Sequence, residues 1–164
     1  MSEITERDIH VFVDAVSNFF LQTTRERAEI RSAYLALGAE PPVFDFTGAI
    51  QISGGYRGCI YFSAPRRLLT KWLLAVRDPY LNEENLLDAV GEIANTISGN
   101  AREHFGQTLE ISVPARNAGA QLPFTLGPMA RPFVIMLRWR EHEAAVVVAI
   151  ERLATNAGPG KRDA

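Results

Sequence analysis

Asp88-Ala89-Val90-Gly91-Glu92-Ile93-Ala94-Asn95-Thr96-Ile97-Ser98-Gly99-Asn100-Ala101 lies inside a longer run that reads as one helix. Asn82 can cap its first turn, Glu83 and Glu84 suit the positive end of its dipole, and Gly106 stops it after Phe105. At about 100° per residue, Leu86, Val90, Ile93, Ala94, Ile97 and Ala101 fall on one stripe, which is expected to face a core. Glu92 and Asn95 lie roughly opposite, about 60° apart, as neighbours on the exposed side. Asp88 and Gly99 share that surface, and Gly91 lies at its edge.

Outward from this helix, the same kinds of element occur twice. Thr5-Glu6-Arg7-Asp8 reads as a capping box, and Phe12, Ala15, Val16, Phe19 and Phe20 recur at helical spacing, which predicts a helix over 6–24. A strand is expected over 28–36, before Pro41-Pro42 breaks the chain. Residues 47–53 and 56–63 read as strands joined at Gly54-Gly55. Pro65 suits a helix start, and Leu68, Leu69, Trp72, Leu73 and Val76 carry that helix to Arg77-Asp78-Pro79. After Gly106, residues 109–113 alternate as a strand ending at Pro114, and 115–131 read as a long loop. Residues 133–140 and 143–151 form a second hairpin around Glu141-His142, with His142 read as an exposed turn residue. The polar tail from Thr155 is expected to be disordered.

The order is helix-strand-strand-strand, a bridging helix, then helix-strand-strand-strand, an internal repeat. Asp14-Ala15-Val16 and Asp88-Ala89-Val90 stand at matching places in its two copies. The expected fold is a single α/β (α+β) domain over 1–154, with a mostly antiparallel six-stranded sheet covered by helices.

Composition excludes several function classes. A chain of 164 residues fits one compact domain, and 47% hydrophobic with 22% charged residues is ordinary for a globular protein. The net charge of -2 argues against nucleic acid as the main partner. Arg66, Arg67 and Lys71 cluster locally, as a solvated helix face or a patch. No apolar run approaches the roughly 20 residues that a membrane helix needs, and the charged start is unlike a signal peptide. Together with a lone cysteine, Cys59, this points to the cytoplasm. Cys59 sits in a strand-like run and reads as a packing residue. His10, His104 and His142 are scattered over different elements, and there is no Gly-x-Ser-x-Gly elbow or phosphate-binding loop.

Gly91 and Gly99 each cost helix stability, about 1 kcal/mol relative to Ala. Close approach of a partner surface explains Gly99, which faces outward; for Gly91, partner approach and packing within the chain stand equally. Glu-x-x-Asn by itself would pass for a solvated polar face. In its surroundings, with Gly99-Asn100 one turn further on, the helix resembles the characteristic helix of the CheX/CheC/FliY family of chemotaxis phosphatases. The long first helix, the hairpin with Gly54-Gly55 and Gly58, and Ser112-Val113-Pro114 are also similar, so the resemblance runs to about residue 152. Family members of the CheC type carry two Glu-x-x-Asn pairs. Here the first repeat has Asn18 and Leu21 at the matching positions, so a single site is expected, as in CheX.

The resemblance implies a phosphatase for the aspartyl phosphate of a CheY-like response regulator. Asn95 would orient the attacking water, because its amide both donates and accepts. Glu92 would pair with the lysine of the regulator's active site. Asp88, Gly91, Gly99 and Asn100 would line the contact, although Asn100 could instead buttress the helix. The chain would need no cofactor of its own, with Mg2+ held by the regulator. A homodimer with sheets joined at their edges is also implied; the long apolar strands of the second hairpin are suitable edge material, and could equally be internal to the chain's own sheet. A non-catalytic module that only binds a regulator is the alternative.

Overall fold

Thr5 caps the first helix as its sequence suggests. Its hydroxyl accepts from the Asp8 amide, and the Asp8 carboxylate accepts from the Thr5 amide at 2.8 Å. The structure, a computed structural model, describes residues 2–37, 40–120, 122 and 131–154. The elements in chain order are β1 (Ser2–Glu3), α1 (Glu6–Thr24), β2 (Glu29–Leu35), β3 (Phe46–Gly54), β4 (Tyr56–Ala64) and α2 (Arg66–Ala75). They continue with α3 (Glu83–Phe105), β5 (Leu109–Ile111), β6 (Ala115–Ala118), β7 (Phe133–Trp139) and β8 (His142–Arg152). The expected tail, 155–164, lies outside the described residues.

Six strands form the main path of one antiparallel sheet, in the order β2-β7-β8-β4-β3-β5, and two short strands extend it to eight. β1 pairs with β8, and β6 pairs with β3. The loop expected over 115–131 therefore begins as a strand. Ala115–Ala118 run antiparallel to Phe46–Ala49, giving partners to backbone groups that the edge of β3 would otherwise leave open.

The two halves of the chain are interleaved. The hairpins β3–β4 and β7–β8 meet in the middle of the sheet, where β4 pairs with β8. β2 then pairs with β7, across the halves, and β5 pairs with β3 in the same way. Each half thus completes the other's sheet, and the order reads as a pseudo-twofold about the β4–β8 boundary.

Helices cover one face of this sheet. Phe12 and Phe20 of α1, Leu68 and Leu69 of α2, and Ile93 and Ile97 of α3 pack on Ile50, Ile60 and Val146. On the opposite face Tyr61, Val134 and Val147 lie beneath Val43, Phe44 and Leu122. Covered on both faces, β8 is buried from Ala144 to Ile150 and β4 from Cys59 to Ala64. Cys59 is a packing residue, with burial pushing its thiol up to about 12.

The second hairpin corrects two expectations. Its turn is Arg140-Glu141, with φ of 48° and 67°, so it closes one residue earlier than hydrophobic alternation suggests. Positive φ at both turn residues matches the twist of the flanking strands. His142 accordingly pairs with Trp139 at the start of β8 and is half-buried, not an exposed turn residue. Its Nε2 is buried without a hydrogen-bond partner. Of the two readings of this hairpin's strands, the sheet bears out the internal one: β7 lies between β2 and β8, and β8 between β7 and β4. β2 and β5 end the main path of the sheet, and the residues of β2 are exposed except for half-buried Ile30.

Candidate functional site on the exposed face of α3

Helix α3 is held at its start by Asn82, whose side-chain oxygen accepts from the Asn85 amide at 2.9 Å. Leu86, Val90, Ile93, Ala94, Ile97 and Ala101 are all fully buried against the sheet and α1. β3 sets the depth of this contact at Gly48, where a Cβ would lie 2.3 Å from the Val90 carbonyl oxygen and 2.9 Å from the Gly91 Cα. Only a residue without a side chain lets the helix backbone settle so low on the strand.

With the apolar stripe buried, Asp88, Glu92, Asn95 and Asn100 are exposed. Among the described residues, neither the Glu92 nor the Asn95 side chain makes a hydrogen bond or ion pair within the chain. The pair is therefore presented side by side with its bonding capacity unspent. Among the described residues a Cβ at Gly99 would meet nothing within 4 Å, so they give no steric reason for a glycine there.

Gly91 has a different explanation. It is buried, and a Cβ on it would lie 3.0 Å from both Cγ and Cδ of Arg116 and 3.5 Å from Cβ of Pro114. The space beside it is filled by Pro114 and by Arg116 of β6, so packing within the chain, one of the two readings of this glycine, accounts for it. Arg116 continues past Gly91 and pairs with Asp88 through Nη1 and Oδ1. Asp88 is thus engaged within the chain. Local periodicity could not find this arginine, because it reaches α3 through strand pairing.

A groove of about 610 Å³ opens beside Glu92, and Asp88 and Ala89 line it as well. The connection between α2 and α3 forms its far wall, with Trp72, Val76, Pro79 and Tyr80 facing Asn85 and Glu92. Asn85 ties that connection to α3, donating to the Asp78 carboxylate at 3.0 Å and to the Tyr80 carbonyl at 2.9 Å. Tyr80, in the wall of the groove, is 65% exposed. The sequence reading treats these residues only as a helix end and a linker.

The first repeat holds no equivalent pair. Asn18 accepts from Arg27 Nη1 at 3.1 Å, and Leu21 is half-buried. Among the described residues no group of three or more His, Cys, Asp or Glu could hold a metal ion. His104 instead pairs with Asp8 at 3.0 Å, tying the end of α3 to the start of α1. Among the described residues no helix is long and apolar enough to cross a membrane.

A family model described as chemotaxis phosphatase CheX matches residues 46–137. No curated protein matches the chain. Among solved structures, chemotaxis protein CheX from Vibrio vulnificus is 18% identical with a TM-score of 0.75, covering 88% of this chain and 99% of that one. Chemotaxis protein CheX from Desulfovibrio desulfuricans is 20% identical with a TM-score of 0.74, again covering 88% and 99%. The CheX of a CheX–CheY–BeF3–Mg2+ complex from Borrelia burgdorferi is 16% identical, with a TM-score of 0.68 and coverage of 88% and 97%. At these identities the likeness is one of fold.

Proposed function

This chain belongs to the CheX family of chemotaxis phosphatases, and on that premise we propose that it hydrolyses the aspartyl phosphate of a CheY-like response regulator in the cytoplasm. The observation that carries the reading is the adjacent, exposed and unpartnered pair of Glu92 and Asn95 on α3. The Borrelia relative in complex with CheY supports a regulator of that kind as the partner.

An acyl phosphate is reactive, so the catalyst's task is to hold water in line with the bond that breaks. The Asn95 amide accepts a hydrogen bond from the water with its oxygen, or donates one to it with its nitrogen, and so aims a lone pair of the water at phosphorus. The water oxygen bonds to phosphorus as the bond to the aspartyl oxygen breaks. Inorganic phosphate and a free carboxylate leave, and the water proton passes to these products. Glu92 pairs with the regulator's active-site lysine and sets the distance between the two surfaces. The magnesium ion is the regulator's own and would neutralise the phosphoryl oxygens. Gly99 and Asn100 belong to the same contact surface. The reading includes a homodimer joined through the edge strand β2, checked by light scattering at micromolar concentration.

The test is phosphate release from a phosphorylated CheY-like regulator, with wild-type protein and with Asn95→Ala. The wild type accelerates release, and the variant binds normally with turnover lower by on the order of 100-fold. Binding without acceleration by the wild type would leave a non-catalytic regulator-binding module.

A further inference from the structure

We propose that Arg116 sets the docking register on α3 by holding Asp88 out of the contact. The inference rests on the reading above, in which Glu92 pairs with the regulator's lysine.

Asp88 stands four residues before Glu92, one turn along the same face, and its side chain is 56% exposed. A lysine approaching this face meets two carboxylates whose backbone positions are about 6 Å apart along the helix axis. The choice between them decides catalysis. Three residues beyond Glu92 is Asn95, whereas three residues beyond Asp88 is Gly91. A complex slipped by one turn would pair its charges and bring no amide to the water.

Arg116 closes that alternative. Its guanidinium occupies Asp88, and its positive charge repels a second cation at the same place. The route it takes is built from three positions. Gly48 and Arg116 are direct partners across β3 and β6, so the strand pairing that seats α3 on Gly48 also delivers Arg116 to the helix edge. Gly91 then leaves the passage open, since a Cβ there would press on the arginine stem at 3.0 Å. Glu92, one turn on, has no such partner among the described residues. The result is one engaged carboxylate and one free carboxylate on the same face.

An exposed ion pair biases such a choice by a factor of about two to five. Steady-state phosphate release from a phosphorylated CheY-like receiver domain tests it, using wild type, Arg116→Gln and Asp88→Asn/Arg116→Gln. In Arg116→Gln, kcat and KM fall together about two- to fivefold with kcat/KM unchanged, because slipped complexes bind without reacting. The double variant has the net charge of the wild type and restores both constants. A second arm measures binding alone. Glu92→Ala loses affinity for the receiver domain, and Glu92→Ala/Arg116→Gln regains it through Asp88 with no turnover. A higher KM at constant kcat in Arg116→Gln would mean that the arginine touches the regulator, and overturns the proposal. So does failure of either double variant to recover. Wild-type protein that releases no phosphate overturns the phosphatase reading instead, and the binding arm still decides the register.

Discussion

Gly48 of β3 lies directly beneath Val90 of α3, with room for a Cβ only 2.3 Å from the Val90 carbonyl oxygen. Gly48→Ala must lift the helix or shift the strand. The expected cost is about 1–3 kcal/mol, as for overpacking elsewhere in protein cores. Thermal denaturation should show the midpoint falling by roughly 2–4 °C for each kcal/mol. Phosphate release should fall with it, because the same displacement moves Glu92 and Asn95. A variant as stable as the wild type would show that α3 is not seated by this contact.

Gly99 predicts the opposite sign for stability. Among the described residues, none outside its own helical turn lies within 4 Å of the position of its missing Cβ, and α3 runs through it. Gly99→Ala should stabilise the protein by about 0.5–1 kcal/mol. It should also weaken binding of the CheY-like regulator, by placing a methyl group where the partner backbone comes close. Titration calorimetry beside a melting curve checks both. A more stable variant with undiminished affinity would show that the contact does not include Gly99.

Glu92→Gln keeps the shape of the side chain and removes its charge. Loss of a charged hydrogen bond to the regulator should raise KM roughly tenfold or more. For the wild type KM should climb with ionic strength, since exposed charges are screened, and the variant should respond much less. Equal salt dependence in the two proteins would remove the lysine pairing from the mechanism.

His142 and Asp8 separate two pH windows of stability. Burial lowers the His142 pKa from its ordinary 6.5, Lys71 and Arg67 lower it further, and Glu141 opposes them. The folded state therefore takes up this proton less readily than the unfolded chain. The associated stability is complete above about pH 6.5 and is lost as pH falls through the lower, folded value. Burial raises the Asp8 pKa, but bonds from Thr5 and His104 outweigh it and leave it below 3.8. That contribution is present above pH 3.8 and is lost in stronger acid. Urea denaturation from pH 8 to pH 5 should show stability falling in the wild type and a flatter profile in His142→Gln. An unchanged slope in the variant would place the titration elsewhere.

Much of the fold is legible in the sequence because its signals are local. The capping residues Thr5 and Asn82 and the terminating Gly106 mark helix ends within one turn of where they act. Alternation and Gly54-Gly55 mark the first hairpin in the same way. The second hairpin differs by one residue. Its turn, Arg140-Glu141, has no glycine or asparagine to announce positive φ, and the misread turn carries with it the exposure of His142.

By itself the sequence determined that α3 exists, which stripe it buries, and that Glu92 and Asn95 share the opposite face, since these follow from a period of 3.6 residues along one helix. The tertiary structure alone decided what surrounds that face. Strand pairing brings residue 116 beside residue 48 and lays its side chain across residue 91 to residue 88, and it sets β2 at an end of the sheet's main path with the second hairpin inside it. Those relationships join positions tens of residues apart. They arise from which backbones pair in the sheet, and a local pattern of apolar and polar residues carries no record of that choice.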